Sequence, residues 1–292
     1  GLFRIPFGRE VPERDPDRFF LERTNLSHAL FPGSIDLGAR METAWGPLRF
    51  AAAIMNGNPT GDVFLPGQDP IAAKDAIGRL GVDTKLADSV RFELGFSVVS
   101  GTGFHANTPS TKDVLVWRDA NENGIVEPSE IQVIAGTAAS PAQTFDRFAL
   151  GSDVRLTAAI PVVGDLTLAG ELVWAKNLDR GLEPADPVAL GRDVRESGFY
   201  LSATQELTRF AMLGVRYDRY NPDLDGSEQR GVALVPRDSS YSTFALAAAL
   251  RYRPGRLILE YDINGNALGR TASGVPTTLA DNQLALRGEV VF

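Results

Sequence analysis

Apolar and polar residues alternate along most of this chain. In the segment 282–292, Leu284 and Leu286 fall on one face of an extended strand, and Arg287 and Glu289 fall on the other. The alternation recurs in about twelve segments, each near the length of about 9–11 residues that lets a strand cross a bilayer obliquely. No segment of more than a turn or two has helical periodicity. The pattern predicts an all-β, antiparallel protein. The predicted strands are 1–9, 36–45, 48–56, 73–83, 90–98, 153–160, 166–174, 199–206, 211–218, 244–253, 256–263 and 280–292.

The connections between these strands are alternately very short and long. Short turns are predicted at 45–47, 161–164, 207–209 and 253–255. In an antiparallel meander, alternate connections lie at the same end, so one end of the sheet carries the short turns and the other carries the long loops. This asymmetry is typical of bacterial outer-membrane barrels. The sequence therefore predicts one transmembrane β-barrel domain over residues 1–292. Its long external loops are 10–34, 58–71, 101–144, 177–196, 221–240 and 266–279.

The polar face of the strands carries many charges. Burying that many ions in a dry core would cost several kcal/mol per ion, whereas a water-filled interior would hydrate them. A β-sandwich would show the same alternation, with the polar face outside. Tyr and Trp at strand ends, such as Trp45 and Tyr252, and a terminal Phe292 favour the barrel. The arginines that the alternation predicts to line the pore are Arg4, Arg40, Arg49, Arg91, Arg155, Arg216, Arg251 and Arg287.

Composition narrows the choice of function. The formal net charge of −8 argues against a nucleic-acid partner, and the lack of cysteine excludes disulfides and thiolate metal sites. No apolar run approaches the roughly 18 residues of a membrane helix. The two histidines, His28 and His105, lie far apart, and no familiar catalytic motif is present, so we expect no enzyme. The chain opens without a signal peptide, as a mature exported protein would, and as a chain missing its natural start would.

One segment matches a calcium-binding loop. Residues 119–130, "DANENGIVEPSE", fit the pattern D-x-N-x-N-G-x5-E of the EF-hand loop. Gly124 stands at the sixth position, where the chain turns sharply. The alternative is an acidic surface turn that binds no ion. The predicted Ca²⁺ ligands are Asp119, Asn121, Asn123, Ile125, Glu127 and Glu130.

Four stretches resemble the phosphate-selective porin O/P family. They are "GLFRIPFG" at 1–8, "FLERTNLSHALFPGSIDLGAR" at 20–40, "MNGNPTGD" at 55–62 and "LALRGEVVF" at 284–292. The resemblance implies a sixteen-stranded, trimeric, water-filled pore in the outer membrane of a Gram-negative bacterium, with about four N-terminal strands absent from this chain. It also implies that the stretch 10–34 folds into the barrel and narrows it. The constriction candidates are then Arg9, Arg14, Arg18 and Arg23.

The chain departs from the family in having few lysines and in mixing carboxylates among these arginines. We therefore expect passive diffusion of small hydrophilic solutes or ions, anions such as phosphate among them, through a barrel surrounded by outer-membrane lipid. One alternative is a plugged barrel that anchors a surface assembly. Another is a secreted, calcium-binding β-sandwich.

Overall fold

The computed structural model describes residues 1–57, 71–230, 232–252 and 255–290. The chain forms two compact units, one of Gly1–Gly103 with Asp146–Phe292 and one of Phe104–Phe145. Among the described residues, no helix is long and apolar enough to span a membrane. The prediction of a single domain over 1–292 is not tested by this division and stays a prediction.

Nearly all regular structure is antiparallel β-sheet. The elements are β1 (Leu2–Arg4), α1 (Asn25–Leu30), β2 (Ile35–Trp45), β3 (Leu48–Met55), β4 (Asp75–Ala87), β5 (Val90–His105), β6 (Val114–Trp117), β7 (Ile131–Ile134), β8 (Gln143–Ile160), β9 (Gly164–Lys176), α2 (Pro187–Leu190), β10 (Arg195–Thr208), β11 (Ala211–Asn221), β12 (Ser227–Arg230), β13 (Ala233–Pro236), β14 (Tyr241–Tyr252), β15 (Gly255–Gly265), β16 (Gly269–Arg270), β17 (Pro276–Thr277) and β18 (Gln283–Val290), with 3-10 turns at Asp15–Asp17 and Pro128–Glu130. In the part of the chain that the structure describes, twelve strands form one sheet in the order β1-β2-β3-β4-β5-β8-β9-β10-β11-β14-β15-β18. The other six described strands form separate hairpins, β6 with β7, β12 with β13, and β16 with β17.

Short turns and long connections lie at opposite ends of this sheet, as predicted. Trp45 pairs with Leu48 and Ile160 with Gly164 across two tight turns. The turn predicted at 253–255, the loop 58–71 and Phe292 lie wholly or largely outside the described residues. β1 and β18 stand at the two ends of the strand order, so the described sheet is not closed.

The two faces of the sheet have the predicted polarity. Large apolar side chains such as Phe96, Leu201 and Leu246 are 53%, 62% and 42% exposed on the outward face, whereas Arg216 and Glu260 are buried on the inward one. A sandwich would bury its apolar face between two sheets. A single sheet with its apolar face outward contradicts that alternative, and the twelve-stranded, all-β prediction is confirmed.

The first strand is shorter than the predicted 1–9. It ends at Arg4 because Pro6 has no N–H to donate and Gly8 adopts a positive φ of 61°. Residues 5–34, here called the inner segment, then cover the inward face of the sheet. Ile5, Phe7 and Leu30 on this segment are at most 1% exposed.

The inner segment packs on small residues of the twelve-stranded sheet, here called the wall, near the end that carries the long loops. Its apolar side chains form one core cluster with Ala149, Val173 and Ala175 of β8 and β9. Phe7 lies against Gly151, where an added Cβ would come within 3.0 Å of the ring. The expectation of a water-filled interior is therefore wrong for this half of the sheet, which holds a dry core. The alternation pattern distinguishes two faces, but it does not show what covers each of them.

Candidate permeation site

The inner segment makes a closed excursion across the inward face. Residues 11–21, here called the tip, leave from Glu10 and return to Thr24, the N-cap of α1. The Glu10 carboxylate accepts hydrogen bonds from the Thr24 hydroxyl and the Ser27 hydroxyl, both at 2.5 Å. Burial acts to raise the pKa of Glu10, but Arg216 and these two hydroxyls hold it below its ordinary value. An ionised Glu10 therefore ties both ends of the tip together.

Arg216 of β11 lies at the base of the tip. Its Nη1 donates to the Glu22 carbonyl at 2.9 Å and lies 3.6 Å from Glu10. Its guanidinium also stacks 4.6 Å from the centroid of the Phe20 ring. One wall arginine thus contacts the tip at its start and at its end.

Wall charges elsewhere bind the backbone of the inner segment. Glu171 accepts from the Arg9 amide at 3.0 Å, Asp218 from the Asn25 amide at 3.1 Å, and Glu260 from the Leu21 amide at 2.5 Å. An irregular segment has few backbone partners of its own, and buried N–H and C=O groups must be satisfied. Several inward charged side chains that were predicted to face water therefore form hydrogen bonds with the buried backbone of the inner segment. This corrects that prediction. The wall arginines that donate to carbonyls of the inner segment are Arg216 to Glu22, Arg256 to Pro16 and Arg287 to Arg18.

A polar cavity of about 350 Å³ separates the tip from the opposite wall. The tip contacts β15 and β18, and the cavity extends from β8, β9 and β10 past β11 and β14 to Arg256 of β15. Glu13 and Asp17 line it from the tip. Burial raises the pKa of Glu13, and the neighbouring Glu10 carboxylate adds to that shift. The wall contributes hydroxyl and charged side chains, namely Arg155, Thr157, Asp165, Thr167, Tyr200, Ser202, Thr204, Glu206, Arg216, Arg251 and Arg256.

Arg155 stands where this cavity meets a second one. The second cavity, of about 290 Å³, shares Arg155, Thr157 and Asp165 with the first and reaches the short turn after β4. Among the described residues the Arg155 guanidinium has no ion pair, and its buried Nε has no hydrogen-bond partner. An unpaired guanidinium in a wet cavity presents its positive charge to any solute that enters.

Most of the other predicted pore-lining arginines are neutralised by neighbours. Arg9 pairs with Glu93 at 2.7 Å, and Arg23 donates to the carbonyls of Phe31, Pro32 and Ser27. Three of the four constriction candidates, Arg9, Arg14 and Arg18, are therefore paired with carboxylates, and the fourth, Arg23, with carbonyls. The remaining pairs are Arg14 with Asp17, Arg18 with Asp15, Arg40 with Glu42, Arg49 and Arg91 with Asp83, Arg251 with Glu206, and Arg287 with Glu289, while Arg4 donates to the Glu13 carbonyl and the Ser34 hydroxyl.

The sequence interpretation missed the carboxylates that hold the inner segment. Alternation places Glu171, Asp218 and Glu260 on the inward face, so their direction was predictable. Their partners were not, because Leu21 and Glu260 lie 239 positions apart. No local pattern connects residues so distant.

The predicted calcium loop lies in the unit Phe104–Phe145. Gly124 has a positive φ of 70°, as the sharp turn requires. The Asp119 carboxylate, however, accepts from the amides of Asn123 and Gly124, and Glu130 accepts from the Ala120 amide and the Trp117 indole. Among the described residues, no three His, Cys, Asp or Glu side chains are grouped so that they could hold a metal ion. The loop has the predicted turn, its carboxylates do not converge on one point, and calcium binding stays a prediction. The amide groups of Asn121 and Asn123 donate to Glu127, and Ile125 donates its amide to Asn123.

No protein-family model matches the chain, and no curated protein matches it. Two solved structures of OmpT, an outer-membrane protein of Vibrio cholerae folded in vitro, are similar to it, one of them in a trimer form. Identity is 10% for the trimer form and 13% for the other, and each alignment has a TM-score of 0.47 and covers 93% of this chain and 69% of the OmpT chain. This likeness is too weak to carry function.

The strand topology itself defines the class of protein. A twelve-stranded antiparallel meander with short turns at one end, an apolar outward face and a charged inward face is a transmembrane β-barrel wall. Walls of this kind lie in the outer membrane of Gram-negative bacteria, and the predicted localisation follows from that fold.

The prediction that the chain is not an enzyme requires correction. One barrel fold is compatible with catalysis as well as with transport. The missing motifs exclude only the chemistry of those motifs, so the prediction is withdrawn.

Proposed function

We propose that the chain forms an outer-membrane pore through which small hydrophilic solutes and ions diffuse passively. The observation that carries this proposal is the charged cavity between the tip and β8–β10, which continues past Arg155 toward the short-turn end. Its hydroxyl and charged lining would replace part of the hydration of a passing solute. The resemblance to the phosphate-selective porin O/P family supports the same function.

The unpaired Arg155 favours small anions, phosphate among them, as preferred solutes. The nearby Glu13 carboxylate, which also has no ion pair among the described residues, moderates that preference. A mild rather than strict anion preference is therefore the proposal. Assembly as a homotrimer in outer-membrane lipid is proposed with it, from the family resemblance, and chemical cross-linking in detergent would test it.

The test is reconstitution in planar lipid bilayers. The folded protein should give discrete conductance steps in potassium chloride, and a salt gradient should give a reversal potential on the anion-selective side. A variant with residues 12–20 replaced by a short Gly-Ser linker should conduct more. Folded, inserted protein that gives no steps in either form would contradict the proposal.

A second candidate is a plugged barrel that anchors a surface assembly. The dry core of Phe7, Leu26 and Leu30 against the wall favours it, because water and ions do not pass through closely packed side chains. The same bilayer experiment separates the two, since an anchor needs no conductance.

A further inference from the structure

We propose that Arg216 and the wall carboxylates Glu171, Asp218 and Glu260 are positioning residues that fix the width of the pore. This inference rests on the proposed function, because it concerns how the constriction of that pore is held. Each of the three carboxylates lies on a different strand of the wall and accepts a backbone N–H of the inner segment. A set of contacts spread over β9, β11 and β15 fixes both the position and the orientation of the segment.

The tip needs these contacts more than α1 does. The flank of the inner segment at α1 is held by apolar packing, with Leu26, Ala29 and Leu30 at most 2% exposed. The tip itself exposes residues 14–17, and its buried apolar contacts come from Val11, Phe20 and the partly buried Phe19. With four of its eleven residues exposed, the tip also depends on hydrogen bonds to charged groups, which are among the stronger polar contacts in proteins.

Burying these charged groups together costs free energy, and their hydrogen bonds to the inner segment are what offsets it. Glu10, Asp218 and Glu260 surround Arg216 at 3.6–3.9 Å, so three carboxylates share one guanidinium. Asp218 Oδ2, Glu260 Oε1 and Arg216 Nε have no hydrogen-bond partner among the described residues. Buried polar atoms without partners are unfavourable. The other carboxylate oxygens accept the amides of Asn25 and Leu21, and these bonds bring the wall and the segment together.

Thiol labelling tests this inference without depending on conductance. The chain has no cysteine, so Val11→Cys introduces a single thiol in the tip at a position that is 2% exposed. In that background, Asp218→Ala and Glu260→Ala should speed modification by a water-soluble thiol reagent at least about tenfold, since a hydrogen bond to a charged group exceeds the roughly 1.4 kcal/mol that a factor of ten represents. Asp218→Asn and Glu260→Gln keep an acceptor oxygen and should restore most of the protection.

Glu206 provides the matched control. It is an inward carboxylate that lines the same cavity, but its partners, Arg251 and the Asp165 amide, both belong to the wall. Glu206→Ala should leave the labelling rate unchanged, whereas Asp218→Ala and Glu260→Ala should raise it and also give larger, noisier single-channel steps. Equal labelling rates in all variants that remain folded would overturn the inference. A wild type that does not conduct but shows the expected labelling pattern would refute the pore and leave the positioning role supported.

Discussion

Gly8 is the position at which one added methyl group should disturb the inner segment most. Its φ of 61° lies in the left-handed region, and a Cβ built there would overlap the Glu171 carboxylate, which accepts the Arg9 amide. An alanine in this region costs about 1–2 kcal/mol. Displacing Glu171 from the amide costs a further ~1.5–3 kcal/mol, the value of a hydrogen bond to a charged group. We expect Gly8→Ala to destabilise the packed segment by about 2.5–5 kcal/mol.

A double-mutant cycle isolates the contact with Glu171. Glu171→Ala alone should cost about 1.5–3 kcal/mol, because it removes the same hydrogen bond. The combined variant should cost no more than Gly8→Ala alone, since the bond can be lost only once. Labelling rates of Val11→Cys report the opening equilibrium when closing is faster than modification.

The cycle also defines the result that refutes this reasoning. Additive costs of the two substitutions would show that Gly8 and Glu171 act independently. Gly46→Ala is the control: Gly46 has a similar φ of 57° at the turn between β2 and β3, but a Cβ there meets no atom within 4 Å. It should strain its own turn and leave the labelling rate of the inner segment unchanged.

Three further outcomes are expected. Arg155→Gln should shift the reversal potential of the pore toward cations, whereas Arg14→Gln, which removes an exposed arginine paired with Asp17, should shift it less. Burial raises the pKa of Glu13, so its carboxylate should be protonated at a pH above the ordinary pKa of 4.5. Loss of this negative charge should increase the anion preference of the pore as the pH falls, and Glu13→Gln should remove this pH dependence. Calorimetric titration of calcium should give heat with the wild type and none with Asp119→Ala combined with Glu130→Ala; the absence of heat in both would show that residues 119–130 form only a turn.

The sequence alone determined the order of the twelve wall strands and their two faces, but not every strand boundary. A period of two is set by the geometry of an extended backbone, so Leu201 and Arg216 point to opposite sides whatever they contact. The alternation of short and long connections likewise placed the turns at one end. Both properties are local, and both are present in the structure.

Only the tertiary structure decided what fills the inward face. The inner segment has few regular hydrogen bonds of its own, so its conformation depends on wall groups hundreds of positions away, such as Glu260 for Leu21. Whether an inward arginine faces water or a carboxylate depends on the same long-range contacts, and this is why Arg155 is unpaired while Arg9 is paired with Glu93. Pairing across distant strands has no local pattern in the chain, because it arises only when the sheet brings those strands together.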